Sequence, residues 1–167
     1  MRWLVPVIAV IGFGLSIGIY LGSFLGAQIE TIGFWWLLLF AGLVVVLFLM
    51  HQLEYPASKS PFFSLKGFAQ GMPRWVIPFA WAFAIFAVMN FAWMAWRNGA
   101  GVPEIVDGQF VLESRGHILA YLTQGEYLSL QADDLRGFAS LFASLYFAPM
   151  MYFLWLPWRK HAREPVD

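Results

Sequence analysis

Charged residues divide the chain into long apolar runs. Between Arg2 and Glu30 there is no Asp, Glu, Lys, Arg or His, and residues 3–27 fill that gap. Residues 33–52 form a second run, interrupted by His51 near its end. Residues 75–96 form a third, whose strongest polar group is Asn90, and residues 138–158 a fourth. Each exceeds the roughly 18 apolar residues that a spanning helix requires. At roughly 1.5 Å per residue the first run measures about 37 Å, enough for a tilted crossing. Lipid offers the backbone no hydrogen-bond partner, so these runs are expected to be helices and not open sheet. The expected fold class is all-α integral membrane, with four transmembrane helices in a single membrane domain over 1–167. The first run is too long for the roughly 7–15-residue core of a secretory signal and is expected to be a retained anchor.

The connections differ in character. Residues 28–32 are expected to form a tight turn, pairing the first two spans as a hairpin. Residues 53–73 carry Pro56 and Pro61, which break helix, followed by Phe62, Phe63 and Phe68 alternating with Lys59 and Lys66. Aromatic rings flanked by lysines suit a segment lying at an anionic headgroup layer, although a plain loop packed under the helix ends fits equally well. Residues 97–137 are the one sizeable polar stretch. Residues 109–113 and 117–121 flank Ser114-Arg115-Gly116, the pattern of a short β-hairpin. Thr123 and Glu126 stand at capping-box spacing, so a helix is expected to begin there and to continue into the last span.

Composition agrees with a lipid solvent. Hydrophobic residues make up 60% of the chain and charged residues 12%, against roughly 45–50% and 25% in ordinary soluble domains. Mean hydropathy is +0.67. The absence of Cys excludes a disulfide scaffold, and a net charge of +0 argues against nucleic acid as a partner. That neutrality conceals an asymmetry. Arg2, Lys59, Lys66, Arg74, Arg159, Lys160 and Arg163 fall on one side of the four expected spans, and Arg97, Arg115 and Arg136 on the other. The basic side should be cytoplasmic, which places both termini there. Trp3, Trp35, Trp36, Trp75, Trp93, Trp96, Trp155 and Trp158 all lie near span ends, as interfacial belts require; Trp81 sits deeper.

The polar stretch carries a resemblance. Gly108-Gln-Phe-Val-Leu112, Arg115-Gly-His117, Leu122-Thr-Gln-Gly-Glu-Tyr127 and Leu135-Arg-Gly-Phe138 resemble the corresponding run of a group of small, uncharacterised bacterial inner-membrane proteins. Those carry a similar hairpin and threonine-x-x-glutamate-tyrosine segment before their last transmembrane helix. The resemblance covers roughly 30 residues and weakens at Ala139-Ser-Leu-Phe142. It implies a location in the bacterial inner membrane and transfers no activity.

Candidate chemistry is sparse. Gly14, Gly18, Gly22 and Gly26 recur every four residues and form one bare stripe on the first span, which lets two helix backbones approach closely. Ser140, Ser144 and Ala148 repeat the spacing on the fourth span, so packing within the chain is the favoured reading and a seam to a partner or a second copy the functional one. His51, His117 and His161 are split across the membrane and cannot converge on a metal or haem, so no metal site and no cofactor are expected. No span carries a charge in its middle, which disfavours a pump or proton-coupled transporter. There is no nucleophile elbow and no phosphate-binding glycine loop. Asp133 and Asp134, near Glu126, could hold a cation weakly but are expected to form a solvated face.

These features favour a non-catalytic accessory or interaction protein that binds another membrane component through the glycine-stripe helix and the loop between the last two spans. Its expected partners are the lipid bilayer and either a membrane protein or a copy of itself. A small transport or lipid-handling protein using Asn90, and an immunity-type protein, are the alternatives.

Overall fold

The computed structural model describes residues 4–26, 29–54, 73–99 and 101–161, with the side chains of 29–33, 50–54 and 156–161 outside that description. Helix α1 (Leu4–Gly22) runs on as a 3-10 turn over Ser23–Leu25. Helices α2 (Ile29–Glu54) and α3 (Val76–Asn98) follow, then strands β1 (Val102–Val106), β2 (Gln109–Ser114) and β3 (His117–Tyr121), and finally α4 (Gln124–His161). The fold is mostly helical with one small sheet. The segment that carries Lys59, Phe62, Phe63, Lys66 and Phe68 lies outside the described residues.

Three helices are long and apolar enough to cross a membrane: Leu4–Leu25, Val76–Asn98 and Gln124–Trp155. In α2 the apolar stretch Phe34–Leu49 is shorter. The outer faces of these helices are apolar too. Ile11, Leu37, Phe40, Trp81, Val88 and Met89 are each at least 60% exposed, a surface suited to lipid and unfavourable in water. The chain is membrane-associated.

Helix α4 is the centre of the bundle. Both α1 and α3 pack along it, and α2 packs on α1 and on α4. The core is built from Val5, Ala9 and Ile19 of α1, Leu39, Leu43 and Val46 of α2, Val76 of α3, and Leu135, Ala139, Tyr146 and Phe147 of α4. Phe13, Phe83 and Phe147 join α1, α3 and α4 through one aromatic cluster, with the Phe83 and Phe147 rings stacked at 4.7 Å. Trp36 of α2 lies against Phe138 and Phe142 of α4.

The contact of α1 with α4 uses small residues of α1, but not the expected stripe. On α1 the buried positions are Val5, Ala9, Gly12, Ser16 and Ile19, alternating by four and three along one seam. Gly12 is covered by the Tyr146 ring so closely that a Cβ there would overlap it. The Tyr146 hydroxyl continues across to α2, where it donates to the Leu39 carbonyl at 2.5 Å. An added Cβ at Gly42 would stand 2.6 Å from that hydroxyl oxygen. Ser16 spends its hydroxyl on the Gly12 carbonyl at 2.7 Å, so it adds no unpaired polar atom to the seam. Gly14 and Gly18 are exposed and have nothing within 4 Å of an ideal Cβ. They face away from the bundle, which corrects the expectation of internal packing at those two positions.

At the sheet end the expected two-stranded hairpin is a three-stranded antiparallel sheet in the order β1-β2-β3. The added strand, β1, contains Pro103, which pairs with Leu112. Proline cannot donate to a ladder, and it is tolerated because β1 is an edge strand. The turns at Asp107-Gly108 and Arg115-Gly116 place both central residues at positive φ, 51° and 78° in the first, 54° and 84° in the second. This is the pattern of the two-residue turn whose twist matches the flanking strands. Beyond β3, the Thr123 backbone N–H donates to Glu126 Oε2 at 2.8 Å and the Glu126 N–H donates to Thr123 Oγ1 at 3.3 Å. That reciprocal pair is the predicted capping box, and it starts a helix that runs without a break into the apolar segment.

Candidate functional site

The region Gln124–Trp155 is 32 residues long, about 48 Å at roughly 1.5 Å per residue. A hydrocarbon core about 30 Å thick cannot hold all of it. The part that projects is its N-terminal portion, because Glu126, Asp133, Asp134 and Arg136 all lie there and residues 138–155 carry no charge. This projection meets the C-terminal end of α3, the 3-10 turn after α1, and the sheet. Four ionisable side chains and several amides and hydroxyls converge at that junction.

Neighbouring residues on a helix point about 100° apart, so Asp133 and Asp134 face different partners. Asp133 faces two guanidinium groups. Arg136 Nη1 lies 2.8 Å from its Oδ1 and Arg97 Nε 3.4 Å from its Oδ2. The carboxylate is nearly buried, and the arginines keep part of their surface open, 37% for Arg97 and 26% for Arg136. Each arginine also makes a second polar contact. Arg97 Nη2 donates to Ser129 Oγ at 2.9 Å, and Arg136 Nε to Ser23 Oγ at 3.2 Å. Ser23 in turn donates to the Tyr20 carbonyl at 2.7 Å, and the Arg136 guanidinium lies over the Phe24 ring, 4.4 Å from its centroid. Arg136 therefore ties α4 to the end of α1, while Arg97 ties it to α3.

Asp134 faces the end of α3. Asn98 Nδ2 donates to its Oδ1 at 2.5 Å, and both residues are buried, 3% and 8% exposed. Burial, and secondarily the charge of Asp133, push the Asp134 carboxyl up to about 7 against the opposing hydrogen bond from Asn98. Asn98 Oδ1 is buried and has no hydrogen-bond partner among the described residues. The Asn98 main chain turns the chain into the sheet, its carbonyl accepting from Gly101 N–H at 2.8 Å. On the far side, Gln131 Nε2 donates to the Tyr127 hydroxyl at 2.6 Å, and the Tyr127 ring packs on Phe110 of β2. The junction thus locks the sheet, α3 and α1 onto one segment of α4.

The expectation of a solvated acidic face at Asp133 and Asp134 is corrected by this burial. In sequence the two acids sit among polar residues at the start of a helix, and their partners Arg97 and Asn98 lie about one strand-rich loop earlier. A basic-plus-amide end to one span facing an acidic start to the next is a signal that could have paired them. Elsewhere, Asn90 Nδ2 donates to the Phe86 carbonyl at 2.8 Å, with the Tyr20 hydroxyl 3.5 Å from its Oδ1. Ser140 is buried on α4 and donates to the Gly137 carbonyl at 2.9 Å, and Ser144 and Ala148 are half-buried. Gly22 is half-buried, and Gly26 ends the 3-10 turn at φ 82°. No group of three or more His, Asp or Glu is placed to hold a metal ion among the described residues. No protein-family model matches the chain, and neither a curated protein nor a solved structure shows significant similarity to it.

Proposed function

We propose that the chain is a non-catalytic interaction protein of the bacterial inner membrane, with four spans and both termini cytoplasmic, which binds another membrane component through α1 and the sheet. The observation that carries this reading is the outward face of α1. Val7, Ile11 and Leu21 are exposed there, each by more than half, and Gly14 and Gly18 lie between them with open space beyond their Cα atoms. The spacing of four and three along Val7, Ile11, Gly14, Gly18 and Leu21 is that of a helix-pairing seam. Two glycines at its centre allow the close backbone approach on which helix association in lipid depends. The buried seam Ala9, Gly12 and Ser16 already serves the contact with α4, so these glycines are not needed for internal packing. A second surface lies at the sheet, where β3 is exposed along its length and is an edge strand open to a partner's backbone.

The transport reading would need Asn90 and the hydroxyls of α4 to line a path. The hydrogen bonds that Asn90 and Ser140 make within their own helices support the interaction reading instead. Gly18→Leu is expected to leave thermal stability in detergent unchanged while abolishing retention of the partner, or of the second copy, on purification from native membranes. Lower stability of the isolated protein, or a partner retained at the parent level, would count against this role of α1.

A further inference from the structure

We infer that Asp134 and Asn98 form a buried proton-binding site at the sheet end of the bundle, in which a neutral Asp134 carboxyl accepts from Asn98 Nδ2 and donates its own O–H to Asn98 Oδ1. This goes beyond the proposed interaction role and does not depend on it. Two independent observations lead to it. Asn98 is 3% exposed and holds a short 2.5 Å bond to Asp134 Oδ1, yet its own Oδ1 finds no donor among the described residues. A buried acceptor of this kind is rarely left empty. Both ion pairs at the junction go to Asp133, so no cation is paired with Asp134 among the described residues.

An ionised carboxylate only accepts, so it cannot serve Asn98 Oδ1; a protonated carboxyl carries the one donor required. A planar acid facing a planar amide can form both bonds at once, which gives Asn98 Oδ1 the donor it lacks. The charged neighbours favour the neutral form. Asp133, next on the same helix, is the charge that acts most on Asp134. Arg97 on α3 and Arg136 on α4 pair with Asp133, and they also contact Ser129, Ser23 and the Phe24 ring. From the 3-10 turn the junction receives Ser23, which does not titrate, and from β2 it receives the Phe110 ring by way of Tyr127. Because Asn98 ends α3 and its carbonyl holds Gly101 ahead of β1, the proton would latch the sheet to the bundle.

The sign follows from the carboxyl's raised proton affinity in the folded chain. Stability from the pair is fully present below the ordinary carboxylate value of 3.8 and is lost as pH rises through about 7. The full chain in lipid nanodiscs, in choline buffer, should therefore show a thermal midpoint several degrees higher at about pH 5 than at about pH 8. Asp134→Asn keeps a donor and an acceptor without a titrating proton, and its midpoint should be flat over the same range. Infrared difference spectra of the parent should show a protonated-carboxyl band at about pH 6 that disappears toward pH 8. Asn98→Ser should shift the frequency of that band. An absent band, a flat parent midpoint, or a parent-like slope in Asp134→Asn would overturn the assignment. Recovery of stability by sodium at about pH 8 would overturn it too, by showing a metal cation as the occupant. The infrared reading on the parent stands even if a variant fails to fold.

Discussion

Gly12→Leu should be among the most destabilising single substitutions in the chain, at about 3 kcal/mol. The side chain would have to enter space filled by the Tyr146 ring. Overpacking of this kind costs about 1–3 kcal/mol where neighbours cannot yield, and Tyr146 is held on both sides. It is 1% exposed, and its hydroxyl is fixed to the Leu39 carbonyl. Displacing the ring also breaks that hydrogen bond, at about 1 kcal/mol net. For a chain of this length the total corresponds to a fall in thermal midpoint on the order of 10 °C. Gly14→Leu, two residues away, is the control: its Cβ meets open space, so the midpoint in detergent should stay at the parent value. Equal losses for the two variants would refute the assignment of the internal seam to Gly12.

Asp133→Asn is expected to cost about 2–3 kcal/mol. Removing one member of a buried ion pair costs about 3–5 kcal/mol because the other charge is left without compensation. Here the figure is reduced, since Arg97 and Arg136 keep about a third and a quarter of their side-chain surface open and can rehydrate. The amide retains the shape of the carboxylate, so the loss reports charge and not a cavity. The variant also removes the negative neighbour that helps to raise Asp134, so the pH at which the protein loses stability should move downward. Both effects can be read from thermal unfolding over a pH series. A stability loss with no movement of the pH transition would mean that Asp133 and Asp134 act independently.

Much of this architecture is legible in the residues because lipid and secondary structure impose local rules. Charge-free runs mark the apolar helices, the alternation around Ser114-Arg115-Gly116 marks β2 and β3, and Thr123 with Glu126 marks the start of α4. The third strand is harder to read because Pro103 argues against a strand unless its edge position is already known. The glycines show the same limit more sharply. A regular four-residue repeat draws attention to Gly14 and Gly18, while the glycine in closest contact, Gly12, stands out only once Tyr146 is seen against it. Period alone cannot tell which face of a helix is turned inward when both faces are apolar, as they are on α1. The polar junction is least legible of all. Its pairs Arg97–Asp133 and Asn98–Asp134 join residues that precede the sheet in sequence to residues that follow it, and each acid by itself looks like an ordinary surface carboxylate.

The central claim is that the Gly14–Gly18 face of α1 meets another helix in the membrane. The chain contains no cysteine, so a single Gly18→Cys substitution provides a unique handle for short-reach crosslinking in native membranes. Val88→Cys on α3, at a position 68% exposed, serves as the lipid-facing control. The account predicts a discrete adduct from residue 18, at twice the chain's mass for a second copy or at another fixed mass for a different membrane protein, with no such adduct from residue 88. If residue 18 yields only uncrosslinked protein and reacts as freely as residue 88 with a lipid-soluble maleimide, the glycine face is turned to lipid and the claim is contradicted.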